Sequence, residues 1–417
     1  MAYDFHGDIP FSTPFSEIKP EDISLYIDLD TNVGKNTCGQ NCSHCWFVNY
    51  EKVFGKAFGL EEGRAITDAL RKEGYTVYPC FVDSFAGNGD FMRTHGAAHS
   101  REFRQTERKI VTDTMKLGDA WTSGRPLNGD HYEELLDLAV ANGYGTISIT
   151  FHGVLGADGK LLPRTTYPID GVFHGEDCIT VVNRINAYNR AKSDKQHALR
   201  VNIGITIGKH NHTRENLLRY VELFNDLGVS TVRFNNFLDH GRRHPELELD
   251  QTQVEAFYRD ARWIHDNIPL RFQLALSEDF GSFGVKVMGF PSSVGWCRAG
   301  RQLFAIIPSE RISLSGLDPE GIQKVADVVG CVNTFAPHLG MIVKSRDRAS
   351  GRDDYKIEFD VEAIAAFTQK RVSGIYKNGC FAKEILAESP PELTRQAKKA
   401  VEHKKTIPLV SVEPTMR

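Results

Sequence analysis

The sequence predicts an α/β protein: a partial (β/α)6 barrel followed by a small C-terminal α+β auxiliary domain. Two observations carry this. Apolar strand-like runs alternate with amphipathic helix-like runs from Leu25 to Ala275, the pattern of parallel β/α units. The chain is also long enough, at 417 residues with 41% hydrophobic and 25% charged, to form one large domain plus a smaller one. The expected division is an N-terminal extension over 1–21, the barrel over 22–280, the auxiliary-like domain over 281–388 and a solvated Pro- and Lys-rich tail over 389–417.

The elements follow in order. A first strand, Leu25 to Asp30, runs into a cysteine-bearing loop and then a helix from Leu60 to Lys72. A strand from Thr76 to Val82 precedes a polar insertion, about Phe91 to Leu117, rich in arginine and histidine (Arg93, His95, His99, Arg101, Arg104, Arg108). Next come a strand from Asp119 to Thr122, a helix from Asp130 to Asn142 and a strand from Gly145 to Phe151. Two further pairs follow: helix Cys178 to Ala191 with strand Leu199 to Ile207, and helix Arg214 to Leu227 with strand Ser230 to Asn235. The first of this last pair takes Thr213 as its cap. A last helix, Gln251 to Asn267, leads to a strand from Leu270 to Ala275. About six strands with five or six crossovers suffice for an incomplete barrel, with its site at the carboxyl ends of the strands.

Composition narrows the partners. Lys+Arg 50 against Asp+Glu 54 gives a net charge of −4, without the basic footprint of a nucleic-acid-binding protein. No apolar run is long enough to span a bilayer, and M-A-Y-D-F-H-G-D-I-P has neither the positive region nor the apolar core of a signal peptide. A cytoplasmic location is expected, where eight cysteines stay reduced and available to metal.

Cys38, Cys42 and Cys45, in T-C-G-Q-N-C-S-H-C-W, carry most of the chemistry. Three soft thiolates this close can hold three irons of a cubane cluster and leave the fourth iron open to a ligand that is not protein. Structural zinc wants a fourth Cys or His nearby; the next thiol is Cys80, and His44 reaches only with awkward geometry. The spacing, with His44 just before the last cysteine and a strand before the loop, resembles the signature of the radical S-adenosylmethionine (SAM) superfamily. That resemblance implies a 4Fe–4S cluster whose open iron takes the amino and carboxylate groups of SAM's methionine. An electron from the cluster then cleaves SAM to a 5′-deoxyadenosyl radical, with flavodoxin or ferredoxin as the electron donor.

The same resemblance assigns the rest of the cofactor site. The loop after the second strand, Asp83-Ser84-Phe85-Ala86-Gly87-Asn88-Gly89-Asp90, matches the one that holds SAM's amino group, which nominates Ser84, Gly87 and Gly89. A plain turn would also use these glycines. Ser148, Thr150 and Asn202 are polar positions in apolar strand runs and are expected to reach SAM. His152, Asn235 and Asn236 stand at strand ends and are expected to meet substrate; Asp239 and His240 follow them. Satisfied core groups and capped turns use the same residue types. His210 and His212, in K-H-N-H-T, read as loop residues.

Beyond residue 281, Cys297 in G-W-C-R-A-G-R-Q-L-F, Cys331 and Cys380 recur. The first run, with a strand into the turn P-S-E and back through Arg311 to Leu314, resembles the opening of the auxiliary-cluster domains attached to many radical SAM enzymes. The cysteine those domains place after the hairpin is replaced by Ser313 and Ser315. Too few thiols remain for two further clusters. One auxiliary iron–sulfur cluster, held by Cys297, Cys331, Cys380 and a fourth ligand, is the expectation; Cys80, Cys178, an aspartate, a histidine or substrate could complete it. Isolated cysteines also serve as small buried hydrophobes.

The barrel starts by about residue 22, which leaves no room for the peptide-recognition domain of peptide-modifying relatives. The expected substrate is therefore a polar small molecule, a sugar or aminoglycoside, dehydrated, dehydrogenated or epimerised in an antibiotic pathway. A ribosomal peptide, or a nucleoside or cofactor precursor, is the alternative.

Overall fold

In a computed structural model, the chain is described over residues 9–10, 12–28, 58–80, 83–85, 89, 92–93, 96–97, 100, 118–163, 175–192, 198–239, 244–277, 298–314, 321–331, 336–347 and 350–372. The fold is mixed α/β, with a curled half-barrel sheet and a separate parallel sheet. Its first part runs β1 (Ser24–Asp28), α1 (Leu60–Lys72), β2 (Thr76–Cys80), β3 (Gly118–Thr122), α2 (Tyr132–Ala141), β4 (Tyr144–Phe151), α3 (Gly175–Ala191), β5 (Arg200–Ile207), α4 (Arg214–Leu227), β6 (Thr231–Asn236), α5 (Gln251–Asn267) and β7 (Gln273–Leu276). Strands β3 to β7 form one parallel sheet in chain order. Strand β1 pairs with β2 in parallel in the other sheet.

Alternation along these strands decides which face is covered. Ile147, Ile149 and Phe151 of β4, Val201, Ile203, Ile205 and Ile207 of β5, and Val232 and Phe234 of β6 are buried in one core with the helices. Helix α4 contributes Leu217, Tyr220, Val221 and Phe224 to it, an i, i+3, i+4, i+7 stripe. Phe151 meets the Tyr220 and Phe224 rings edge-on at 5.8 and 5.2 Å, the arrangement that aromatic quadrupoles favour. The opposite sheet face carries polar side chains and, among the described residues, is not the face the helices α2 to α5 pack on.

The rest of the chain extends the first sheet. Strand β8 (Leu303–Ser313) lies parallel to β1, and β9 (Gln323–Val329), β10 (His338–Arg346) and β11 (Asp353–Phe359) continue outward in antiparallel pairs. Helix α6 (Val361–Val372) returns onto a second core that joins Leu25, Ile27 and Val77 to Phe304, Ile306, Val328, Ile342 and Phe367.

Two local expectations differ from what forms. The turn expected at Pro308-Ser309-Glu310 is instead a register shift inside one strand: Pro308 pairs with Ala326, Ile312 with Lys324 and Ser313 with Gln323. A bulge absorbs the proline, which has no N–H to give a ladder, without reversing the chain. Thr213 stands at the N-cap of α4, but its side chain makes no capping hydrogen bond. No helix among the described residues is long and apolar enough to cross a membrane.

Candidate functional site

The exit of β2 is locked to the exit of β3 by one carboxylate. Asp83 is fully buried. Its Oδ1 accepts from the Phe85 N–H at 3.0 Å, and its Oδ2 accepts from the Ser123 N–H at 3.0 Å and the Ser123 hydroxyl at 2.7 Å. Burial pushes its carboxyl above the usual aspartate range, while the bonds from Ser123 and Phe85 pull the other way. The Ser84 N–H donates to the Trp121 carbonyl at 2.8 Å, so the two strand ends are stitched together. The Ser84 hydroxyl is buried and has no hydrogen-bond partner among the described residues. Gly89, at φ +85, is a close-approach glycine, since a Cβ there would stand 2.7 Å from Leu135 Cδ2 on α2. Gly87 lies outside the described residues.

The polar face of the parallel sheet brings most of the nominated residues together. Residues paired across neighbouring parallel strands share a face. Ser148 pairs with Asn202 and Asn202 with Thr231; Thr150 pairs with Gly204 and Gly204 with Arg233; Thr206 pairs with Asn235. Thus Ser148, Thr150, Asn202 and Asn235 lie on the face turned away from the helices. Asn236 pairs with Ile207 and falls on the opposite, helix-facing side, where it is buried. The side chains of Thr150, Asn202, Arg233 and Asn235 are half-buried and make no hydrogen bond or ion pair with another described residue. Trp121, in register with Ser148 at the edge of this face, is 49% exposed.

A buried bracket sets the next row. Asn211 accepts from the Gly208 N–H at 2.9 Å and donates from Nδ2 to the Thr206 carbonyl at 3.0 Å and to Tyr220 Oη at 3.1 Å. The Tyr220 hydroxyl donates to the Gly153 carbonyl at 2.7 Å. This chain of bonds ties the exit of β4 to the exit of β5 and fixes buried His152 and His210 near each other. Burial of the His210 ring, with the charges of His212 and His152 close by, lowers its pKa to about 4, so it is neutral at physiological pH. After β6, buried Asp239 accepts from the His244 N–H at 2.7 Å through Oδ2, while its Oδ1 is buried without a partner among the described residues.

The nominated metal ligands divide differently. Cys38, Cys42 and Cys45 lie outside the described residues, in the connection that leaves the carboxyl end of β1, and so do Cys297 and Cys380. Cys331 is half-buried just after β9 and packs against the second core and against Leu238, two residues beyond β6. Cys178 sits in the first core on α3, and burial raises its thiol well above the usual range, which makes it a packing residue. The described residues contain no group of three or more His, Cys, Asp or Glu placed to hold a metal ion. Most of the arginine- and histidine-rich insertion, and His240, also lie outside the described residues.

Three groups went unmarked in the sequence: Arg233, the Asp83–Ser123 latch and the Asn211–Tyr220 bracket. Arg233 had a signal, a charge in the middle of the strand T-V-R-F-N-N. The latch and bracket join residues 40 and 9 positions apart and had none.

No protein-family model and no curated protein matches the chain. Solved structures do. SuiB of Streptococcus suis bound to S-adenosylmethionine is 11% identical at a TM-score of 0.42, over 75% of this chain and 58% of that one. SuiB bound to the precursor peptide SuiA gives 13% and 0.45, over 75% and 61%. TsrM of Kitasatospora setae, a radical S-adenosylmethionine methyltransferase solved with tryptophan and a SAM analogue, gives 16% and 0.28, over 52% and 36%. The chain spans about three-fifths of the SuiB chains it matches.

Proposed function

We propose that this protein is a radical SAM enzyme acting on a polar small molecule of sugar or aminoglycoside type. The observation that carries the reading is the Cys38–Cys42–Cys45 spacing in the sequence after β1, together with a parallel sheet on one face of which Thr150, Asn202 and Asn235 have no partner among the described residues. Sites in such sheets form at the carboxyl ends of the strands. The donor set fits the cofactor: thiolates for iron, and for SAM the orphaned Ser84 hydroxyl with the amide and hydroxyl groups of the polar face. When bound, a 4Fe–4S cluster and SAM supply a one-electron cleavage that yields the 5′-deoxyadenosyl radical and removes hydrogen from substrate.

The chain's own residues hold and shield. The Asp83 latch fixes the loop beneath Ser84, and the Asn211–Tyr220 bracket fixes His152 and neutral His210. Asn235 and His152 orient hydroxyl or amino groups of the substrate. Cys297, Cys331 and Cys380 are proposed to hold an auxiliary cluster, which would accept an electron from the substrate radical and favour dehydrogenation or dehydration over epimerisation.

The test is anaerobic reconstitution with iron, sulfide, SAM and a reductant, assayed for 5′-deoxyadenosine. Wild type should form it, and Cys38→Ala/Cys42→Ala/Cys45→Ala should not; product from the triple variant defeats the reading. Iron above about four per chain, part of it retained by the triple variant, marks an auxiliary cluster. Deuterium transfer from candidate sugars, peptides and nucleosides into 5′-deoxyadenosine then separates the substrate classes.

A further inference from the structure

Arg233 sits in the middle of β6, on the same face as Thr150, Asn202 and Asn235. Its neighbours in register are Gly204 on β5 and Ala275 on β7, the two smallest residues on that row, so no side chain on either adjacent strand fills the space beside the guanidinium. It is half-buried. Among the described residues it has no hydrogen bond, ion pair or ring contact. Arginine in such a position ordinarily has a carboxylate, because a half-desolvated guanidinium offers five N–H donors that need acceptors. The in-register residues of this face from β4 to β7 include no acid: Thr146, Ser148, Thr150, Arg200, Asn202, Gly204, Thr206, Thr231, Arg233, Asn235, Gln273 and Ala275. Asn235 adds a further donor, since its Nδ2 stands 3.1 Å from where a Cβ on Gly204 would lie.

We infer that Arg233, with the Asn235 amide over Gly204, binds an anionic group, a carboxylate or a phosphate, on the substrate of this site. The inference rests on the enzymatic reading above and narrows its substrate to an acidic sugar, such as a uronate or a sugar phosphate, and away from the cationic aminoglycosides. A guanidinium pairs with either anion through two parallel N–H···O bonds. With the Asn235 amide over Gly204 and only a methyl group at Ala275, such an anion would lie on the Ala275 side of the guanidinium, within reach of both donors.

Phenylglyoxal modification of Arg233 in the full chain, followed by peptide mass spectrometry, tests this without a known substrate. Inorganic phosphate should slow modification of Arg233 several-fold relative to chloride at equal ionic strength, and acetate should slow it less. SAM should leave the rate unchanged. Arg233→Ala should weaken phosphate binding, measured by equilibrium dialysis, by about tenfold (about 1.4 kcal/mol), with Arg233→Lys recovering part of it. Undiminished modification in phosphate, or equal phosphate binding by a folded Arg233→Ala chain, overturns the inference. Protection by SAM alone also overturns it, because the anion would then be the cofactor's own carboxylate. Absence of 5′-deoxyadenosine from wild type removes the enzymatic reading instead and leaves the phosphate result to stand by itself.

Discussion

Asp83 has given up water on every side and holds its charge on three donors: the Phe85 N–H, the Ser123 N–H and the Ser123 hydroxyl. Desolvation outweighs those bonds and raises its pKa, so the folded chain binds this proton more tightly than the unfolded chain does. The sign follows from linkage: stability falls as pH rises from the ordinary aspartate value toward the raised one. An amide at this position keeps the acceptor for Ser123 but turns an NH2 toward the Phe85 N–H. Asp83→Asn should therefore cost about 1–3 kcal/mol near the acid end of the window. The gap to wild type should narrow as pH rises, because only wild type carries the declining contribution. Denaturant melts at a series of pH values check this; a gap that widens with pH contradicts the buried-carboxylate latch.

The elements owe their positions to ties that cross between them. Helix α4 is held to the sheet by its apolar stripe, but its registration over the exits of β4 and β5 depends on Tyr220, whose hydroxyl donates to Gly153 and accepts from Asn211. Tyr220→Phe keeps the ring's contact with Phe151 and removes both bonds, so the buried Gly153 carbonyl loses its hydroxyl donor and one of the two Asn211 Nδ2 hydrogens loses its acceptor while the other stays on the Thr206 carbonyl. A loss of about 1–3 kcal/mol is expected by chemical denaturation. Because the bracket sets His152 and His210, the variant should also shift the His210 titration upward from about 4, read by NMR. A melt unchanged from wild type would mean that packing alone positions α4. Helix α5 reaches its place with less help, through the reciprocal Asp250–Gln253 capping box at its start.

At the scale of the molecule, β1 lies between β2 and β8, so the strand leading to the cysteine connection takes one of its ladders from the C-terminal region. The second core is likewise shared: Leu25, Ile27 and Val77 pack with Phe304, Ile306, Ile342 and Phe367. A chain ending before Arg298 should expose the β1 edge and half of that core, and lose cooperative melting and solubility. Circular dichroism and size exclusion on the truncated chain test it. A soluble truncation with a sharp transition would make the C-terminal strands an independent appendage.

The order of strands and helices from Leu25 to Ala275 was legible in the sequence because alternation and helical periodicity are local, and so was the cysteine spacing. The sharing of one face by Ser148 and Thr150 was also legible, since the strand period of two fixes it, whereas Asn202 joined them only through the register of β4 with β5. Asn235 and Asn236 could not be separated before the register with Thr206 and Ile207 placed adjacent residues on opposite faces. The partner of Asp83, the bracket at Tyr220 and the absence of a partner for Arg233 among the described residues are set by residues distant in the chain. Only the tertiary structure decided them, because burial and the choice of hydrogen-bond partners are properties of the surroundings that close around a side chain, and not of the side chain's own neighbours in sequence.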